Sequence, residues 1–453
     1  MPNQIAAKAP RDLRLDFFRG IAMMIILIVH TPGNKWSWYV PAAFGHSAAN
    51  EMFIFISGFA SALAFGVIFT RHAWWIGAAR VYQRMWEVYW AHIGLFLVVA
   101  VMVVVGANMT GIDYVGKLNL WHFFNDTPTN LVGLFTLTYV PNLFDILPIY
   151  LVMLAMLPFV VAAYRIHLGW AFALVLAVYL LAWGHLVPGA NMVAGAAGFQ
   201  FPVNLPAEPF SAREWFFNPF GWQLCFFMGF FFGMKWIHPP AWNQRWLIIA
   251  CIVIVIVSYF LKRARHWELE ILLDPAVRDI FFPEGQRSAL YWMRMVHFFA
   301  LAYLVLSFLE HRKHWLEHWV FRPFVIVGQA SLPAFLASIA FGRVMGMALD
   351  QTELLSAPEG VDPAVWVNET SRSDFWLAVV NISGMIALVL FCRMMVFFKR
   401  KPWTKRGDKG AAMDKAQEDA ALANADRAPN EAVMPAEASG SPKPPRPAGA
   451  PAE

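Results

Sequence analysis

Charged residues are scarce: Asp, Glu, Lys and Arg make up 14% of the 453 residues, against roughly 25% in an ordinary soluble domain. With 59% of the chain in the hydrophobic set, and single soluble cores limited to about 250–300 residues, folding in water alone is excluded. Cysteine is nearly absent too. Cys225, Cys251 and Cys392 each lie inside an apolar run. They offer neither a disulfide framework nor a CxxC metal signature, and read as small buried hydrophobes. A glycine-rich phosphate loop and a G-x-S-x-G elbow are missing, which excludes P-loop nucleotide chemistry and the nucleophile-elbow arrangement. No internal repeat is visible. The formal net charge of +5 gathers in loops and the tail, not in a basic stripe, so no nucleic acid is expected as a partner.

What the chain has in excess is apolar and aromatic surface, including 40 Phe and 21 Trp. Trp36, Trp74, Trp121, Trp215, Trp242 and Trp315 mark the ends of apolar runs, where indoles form interfacial belts. A spanning helix needs about 20 mainly apolar residues. Ten segments qualify: 17–32, 48–69, 88–106, 145–164, 168–187, 216–236, 245–261, 292–309, 323–342 and 375–397. The expected fold is all-α, a polytopic helical bundle in a lipid bilayer with about ten transmembrane helices. Residues 71–87 predict an amphipathic helix lying in the interface, and 130–140 a re-entrant or peripheral piece. Lys and Arg before the first span, after the second and after the tenth place both termini in the cytoplasm. Lys262, Arg263 and Arg265 fall on the outer side as an exception, among acidic residues, and the outer loop 343–374 is acidic. A cleaved signal peptide is disfavoured because the first apolar run carries Arg19 and ends in His30. Residues 1–400 read as the membrane domain and 401–453 as a disordered cytoplasmic tail of Ala, Pro, Lys, Asp and Glu.

Arg19 and His30 are eleven residues apart on the first span. At about 100° and 1.5 Å per residue they lie within about 20° of one helix face and roughly 16 Å apart along it. An intramembrane Arg costs about 2.5–3.5 kcal/mol even on the lenient insertion scale, so the stripe should line a polar cavity. Glu51 opens the second span. If the two spans are antiparallel neighbours, Glu51 lies at the depth of His30 and orients its imidazole; the alternative is that the three groups satisfy one another as structural glue. His297, Gln329, Ser331, Tyr150 and Gln223 are polar groups within spans, either lining the cavity or hydrogen-bonding between helices. His314-Trp-Leu-Glu-His318 has the H-x-x-E-H pattern of some zinc peptidases, but it sits in a short loop without a third ligand, and no metal is expected.

Arg-X10-His on a first span, followed by a Phe-rich Ser-Gly helix, resembles the membrane acyltransferase-3 superfamily, and within it the OpgC family, associated with succinylation of osmoregulated periplasmic glucans. The stretches carrying the resemblance are RDLRLDFFRG (11–20), NEMFIFISGF (50–59), RVYQR (80–84), LPIYL (147–151), FNPFGWQL (217–224), RMVHFFALAY (294–303) and GQASLPAF (328–335). The resemblance implies a bacterial inner-membrane O-acyltransferase that takes an acyl group from cytoplasmic acyl-CoA, succinyl-CoA foremost, to hydroxyls of a periplasmic glucan. No cofactor is implied beyond that donor. Catalytic residues are then His30, as general base or as a transiently acylated group, and Glu51. Arg14, Arg19, Arg80 and Arg84 would bind the donor, the alternative being an ordinary positive-inside signal. His297, Gln329 and Ser331 complete the expected substrate site. The rival reading is a transporter of a glycan or organic anion through the same cavity, for which Pro148 and Pro333 would interrupt spans. The sequence leaves the oligomeric state open.

Overall fold

Long apolar runs become helices because, away from water, a backbone can satisfy its polar groups only within itself. The structure, a computed structural model, describes residues 13–183, 203–266, 288–310, 312–358, 360–362, 365–367, 372–400 and 403. Lys8, Arg11, the acidic stretch 268–284 and the tail (Trp403 apart) lie outside the described residues. In chain order the principal helices are α1 (Leu13–His30), α2 (Ala49–Arg71, with one π-helical turn at Ala62–Gly66), α3 (Trp74–Thr110), α4 (Ile146–Ile166), α5 (Leu168–Ala182) and α6 (Pro219–Gly233). They continue with α7 (Arg245–His266), α8 (Trp292–Glu310), α9 (Arg322–Gln329), α10 (Ser331–Leu354) and α11 (Asp374–Lys399). Among the described residues the only β-pairing is the isolated bridge between Pro206 and Glu214.

Within the described residues, nine of the ten expected segments fall on a single helix of this series, and 323–342 falls on two. Seven of the helices, α2, α3, α4, α7, α8, α10 and α11, are long and apolar enough to cross a membrane. α1 begins with Arg14, Asp16 and Arg19. α5 and α6 have 15 residues each, about 22 Å against a hydrocarbon core of ~30 Å.

Three expectations are corrected. Residues 71–87 do not form a separate interfacial helix: from Trp74 they run without a break into the following span. No Pro occurs there and Gly77 is accommodated inside the helix, so α3 reaches about 55 Å, nearly twice the hydrocarbon thickness. Second, the segment at 323–342 is split at Ala330, and α10 continues to Leu354. Residues 343–354 of the expected outer loop 343–374 are therefore helix. Third, Pro148 and Pro333 stand in the first turns of α4 and α10, where a helix has unsatisfied N–H groups anyway and a missing one is tolerated.

α1 packs against α2, α9 and α10, and α2 lies along α6. Small residues permit this. A Cβ added to Gly58 would stand 1.8 Å from the Phe226 carbonyl oxygen, and one on Gly229 2.0 Å from that of Phe55. The backbones of α2 and α6 thus touch, as small residues allow where no hydrophobic effect drives helices together. Gly20 and Gly328 bring α1 and α9 equally close, each facing a carbonyl of the other helix. On the outside of the bundle, α7 exposes Ile249, Ile252, Val253, Ile256, Val257 and Phe260, a surface suited to lipid. The three cysteines are free and buried.

Candidate functional site

α1 ends at His30, and its last carbonyl needs a partner because a helix C-terminus has no further N–H to offer. Arg343 of α10 supplies one: its Nη2 donates to the His30 carbonyl oxygen. The approach is close, since a Cβ on Gly342 would lie 3.1 Å from that oxygen and 3.3 Å from the His30 Cβ. The imidazole Nδ1 of His30 is buried and has no hydrogen-bond partner among the described residues.

Beyond His30 the chain turns through Thr31-Pro-Gly-Asn34, with Gly33 at φ 68°. A dense polar cluster closes over this turn. Asn34 and Asn381 exchange amide hydrogen bonds at 2.7 and 3.1 Å. The Arg372 side chain lies against Gly33 and pairs with Asp350. The other oxygen of Asp350 accepts from the Tyr114 hydroxyl at 2.9 Å and has Lys117 Nζ at 3.8 Å. Burial and the Asp350 carboxylate push the Tyr114 phenol above its ordinary range. A cavity of about 10 Å³, enough for one water, is lined by Pro32, Val103, Tyr114, Lys117, Leu118, Arg343 and Met347. A larger groove of about 500 Å³ runs along α1 at Ile25, Ile28, Trp36, Tyr39, Val40 and Pro41. Neither is lined by Arg19 or by His30, so the polar cavity expected to join the two along α1 is not formed by these openings.

The structure does not pair Glu51 with His30. Glu51 is fully buried at the third position of α2; one oxygen accepts the Ala48 N–H at 2.8 Å, as an N3 glutamate does. The other accepts from Arg294 Nε at 2.6 Å. Arg294 is 8% exposed and lies over the Trp222 ring at 5.9 Å. One turn on, His297 Nδ1 stands 2.7 Å from Ser47 Oγ and accepts the Ser47 N–H at 3.2 Å. Two charges held this way inside a bundle bind α2 to α8. The outer-side exception Lys262 also finds a place: its Nζ donates to the carbonyl oxygens of Ala42 and Gly45, which end a short helical turn (Pro41–Phe44).

At the opposite end of α1, Arg14 pairs with Glu310 at 2.9 Å and Arg19 lies 3.8 Å from Asp16. Arg80 and Arg84 lie on the extended part of α3, engaging Gln83 at 2.7 Å and Glu87 at 2.8 Å on their own helix. Gln329 and Ser331 flank the break at Ala330, half-buried. Gln223 donates to the Val175 carbonyl at 2.8 Å, an interhelical bond from α6 to α5. The expected residues thus fall into three groups rather than one: His30 with the Arg343 cluster, Glu51 with His297 and Arg294, and the arginines at the start of α1 and α3.

Sequence reasoning missed Arg343, Asp350 and Arg294. Arg294 was legible, being an ionisable group at the head of a span within RMVHFFALAY. Arg343 and Asp350 lie in the expected outer loop 343–374, because hydropathy falls twelve residues before α10 ends. A second polar group lies in the segments 114–145 and 203–218. There Arg213 pairs with Glu208 and donates to Asn142 at 2.9 Å. Burial raises the Asp145 carboxyl to about 7 despite the nearby Arg213.

Comparison with known proteins gives one match. A sequence profile for the family described as OpgC protein covers residues 11–368, which takes in α1 through α10. No curated protein and no solved structure matches the chain.

Proposed function

Since the chain belongs to the OpgC family, a family of glucan-modifying acyltransferases, we propose that it moves a succinyl group from cytoplasmic acyl-CoA onto hydroxyls of a periplasmic glucan across the bacterial inner membrane, with His30 as general base. Ten passes with both termini in the cytoplasm give the donor and the acceptor separate entrances. Arg14, Arg80 and Arg84 meet the CoA phosphates at the inner face by charge-assisted hydrogen bonds, and Arg19 guides the pantetheine arm. Gln329 and Ser331, at the break between α9 and α10, are the proposed contacts along the route, while His297 supports it from its bond to Ser47. His30 takes the proton of the sugar hydroxyl; the oxygen attacks the thioester carbonyl; the carbon–sulfur bond breaks; and the imidazolium returns its proton to the departing thiolate. Glu51 serves this site at one remove, holding Arg294 and the start of α2.

One observation carries the reading. The imidazole at the end of α1 keeps a buried Nδ1 without a partner among the described residues; both ring nitrogens of His92 on α3 share that state, and what sets His30 apart is its place at the end of the Arg-X10-His span, against Arg343. The test is release of free CoA from succinyl-CoA by purified protein in the presence of glucan. H30A and H30N should lose at least about 100-fold in rate, the usual scale of a general base, with melting temperature unchanged. Full activity in H30A would remove His30 from the chemistry. A transporter would move its cargo without cleaving the thioester, and absence of CoA release alongside glycan uptake would favour that rival.

A further inference from the structure

Among the described residues near the end of α1, two cations lack a full acidic partner. Arg372 and Lys117 face the carboxylate of Asp350, while the nearby Glu353 accepts the Ser373 N–H at 3.1 Å. Arg372 pairs with Asp350 through Nη2, its buried Nη1 having no partner among the described residues. Arg343 is not committed to an acid: capping α1 uses Nη2, and its Nε is buried without a partner among the described residues. Lys117 Nζ stands 3.8 Å from Asp350, beyond hydrogen-bond distance, and 35% of its side chain is exposed. Arg343, Lys117 and the Tyr114 ring line the same small cavity, under Pro32 and two residues from His30. A guanidinium with free N–H and an ammonium around an oxygen-sized space form an anion site.

We infer that Arg343 and Lys117 are a specificity subsite for the free carboxylate at the distal end of the transferred acyl group. The inference rests on the acyl-CoA reading above and goes one step beyond it. A donor whose phosphates stay at the inner arginines and whose thioester reaches His30 directs the far end of its acyl chain past His30, toward Arg343. A glucan hydroxyl is neutral and gains little from two cations; a dicarboxylic acyl group brings the charge they lack. The space holds about one oxygen, so it receives one oxygen of the carboxylate while Arg343 keeps its bond to the α1 carbonyl.

The experiment compares kcat/KM for succinyl-CoA with that for butyryl-CoA, which has the same chain without the acid, using the full-length protein in detergent and glucan as acceptor. The wild type should favour succinyl-CoA. R343Q and K117M should each lower the succinyl-to-butyryl ratio about tenfold or more, the scale of one charged hydrogen bond, and R343K should keep part of the preference. Both donors carry the same CoA, so a role in phosphate binding or in capping α1 lowers both rates together and leaves the ratio fixed. An unchanged ratio in both variants, or a wild type indifferent to the acid, overturns the subsite. If R343Q does not fold, K117M still decides, because its side chain reaches the surface. Failure of the wild type to cleave either thioester sinks the acyltransferase reading itself.

Discussion

Single ionisable side chains in this bundle are held by partners far away in sequence, and their removal should be felt accordingly. Glu51 is 0% and Arg294 8% exposed, so deleting one leaves the other charged and dry. R294M should destabilise the detergent-solubilised protein by about 3–5 kcal/mol, and the double variant E51Q/R294M should recover much of that, because a buried pair replaced together leaves no orphan charge. Equal losses that simply add in a denaturant or thermal series would show that the two do not act as a pair. Asp145, just before α4, offers a pH test. Burial raises its carboxyl to about 7, above the unfolded value, so its contribution to stability is fully present below about pH 4 and is lost as pH rises through about 7. D145N removes the titration. The melting temperature of D145N relative to wild type should therefore rise between pH 5 and pH 8; a difference that stays flat would mean Asp145 is ionised in the folded state.

Helices meet through glycine where two backbones touch, and there volume matters more than polarity. G58V or G229V places side-chain carbons where the facing carbonyl oxygen now lies within about 2 Å of an ideal Cβ, forcing α2 and α6 apart. Either change should lower the melting temperature and abolish transfer by displacing Glu51 on α2. Gly94 is the control: nothing lies within 4 Å of an added Cβ, so G94A should be neutral or stabilise α3 by up to about 1 kcal/mol through its better helix propensity. A melting curve for each variant decides, and equal effects at Gly58 and Gly94 would refute the close-packing account. The lengths of elements carried a different lesson. α3 and α10 both ran past their apolar cores, because a helix stops at a cap or a breaker and not where hydropathy falls. α3 ends at Gly111, which takes the left-handed conformation at φ 74°.

At the scale of the whole molecule the proposed topology separates Arg84 from Lys117 by the membrane, although one helix joins their neighbourhoods. The three native cysteines are buried, so a cysteine introduced at either site reports cleanly. K117C should react with an impermeant maleimide in intact cells, and R84C only after permeabilisation; the reverse pattern would invert the orientation, and with it the side from which the donor enters. The outward Ile and Val of α7 belong at this scale too, since they make sense only with lipid against them.

The membrane fold, the helix positions and the family were decided by the sequence, because hydropathy over about 20 residues is a local property and the motifs from 11 to 335 are contiguous blocks. Arg19 and His30 could also be placed on α1 from spacing alone. Which groups meet was decided only by the tertiary structure. Glu51 goes to Arg294 instead of His30, and Arg343 comes to the end of α1, because the choice of partner for a buried charge depends on which helices pack together. That packing is set by glycine contacts between distant segments, such as Gly328 against the carbonyl of Asp16, an interval no local pattern spans.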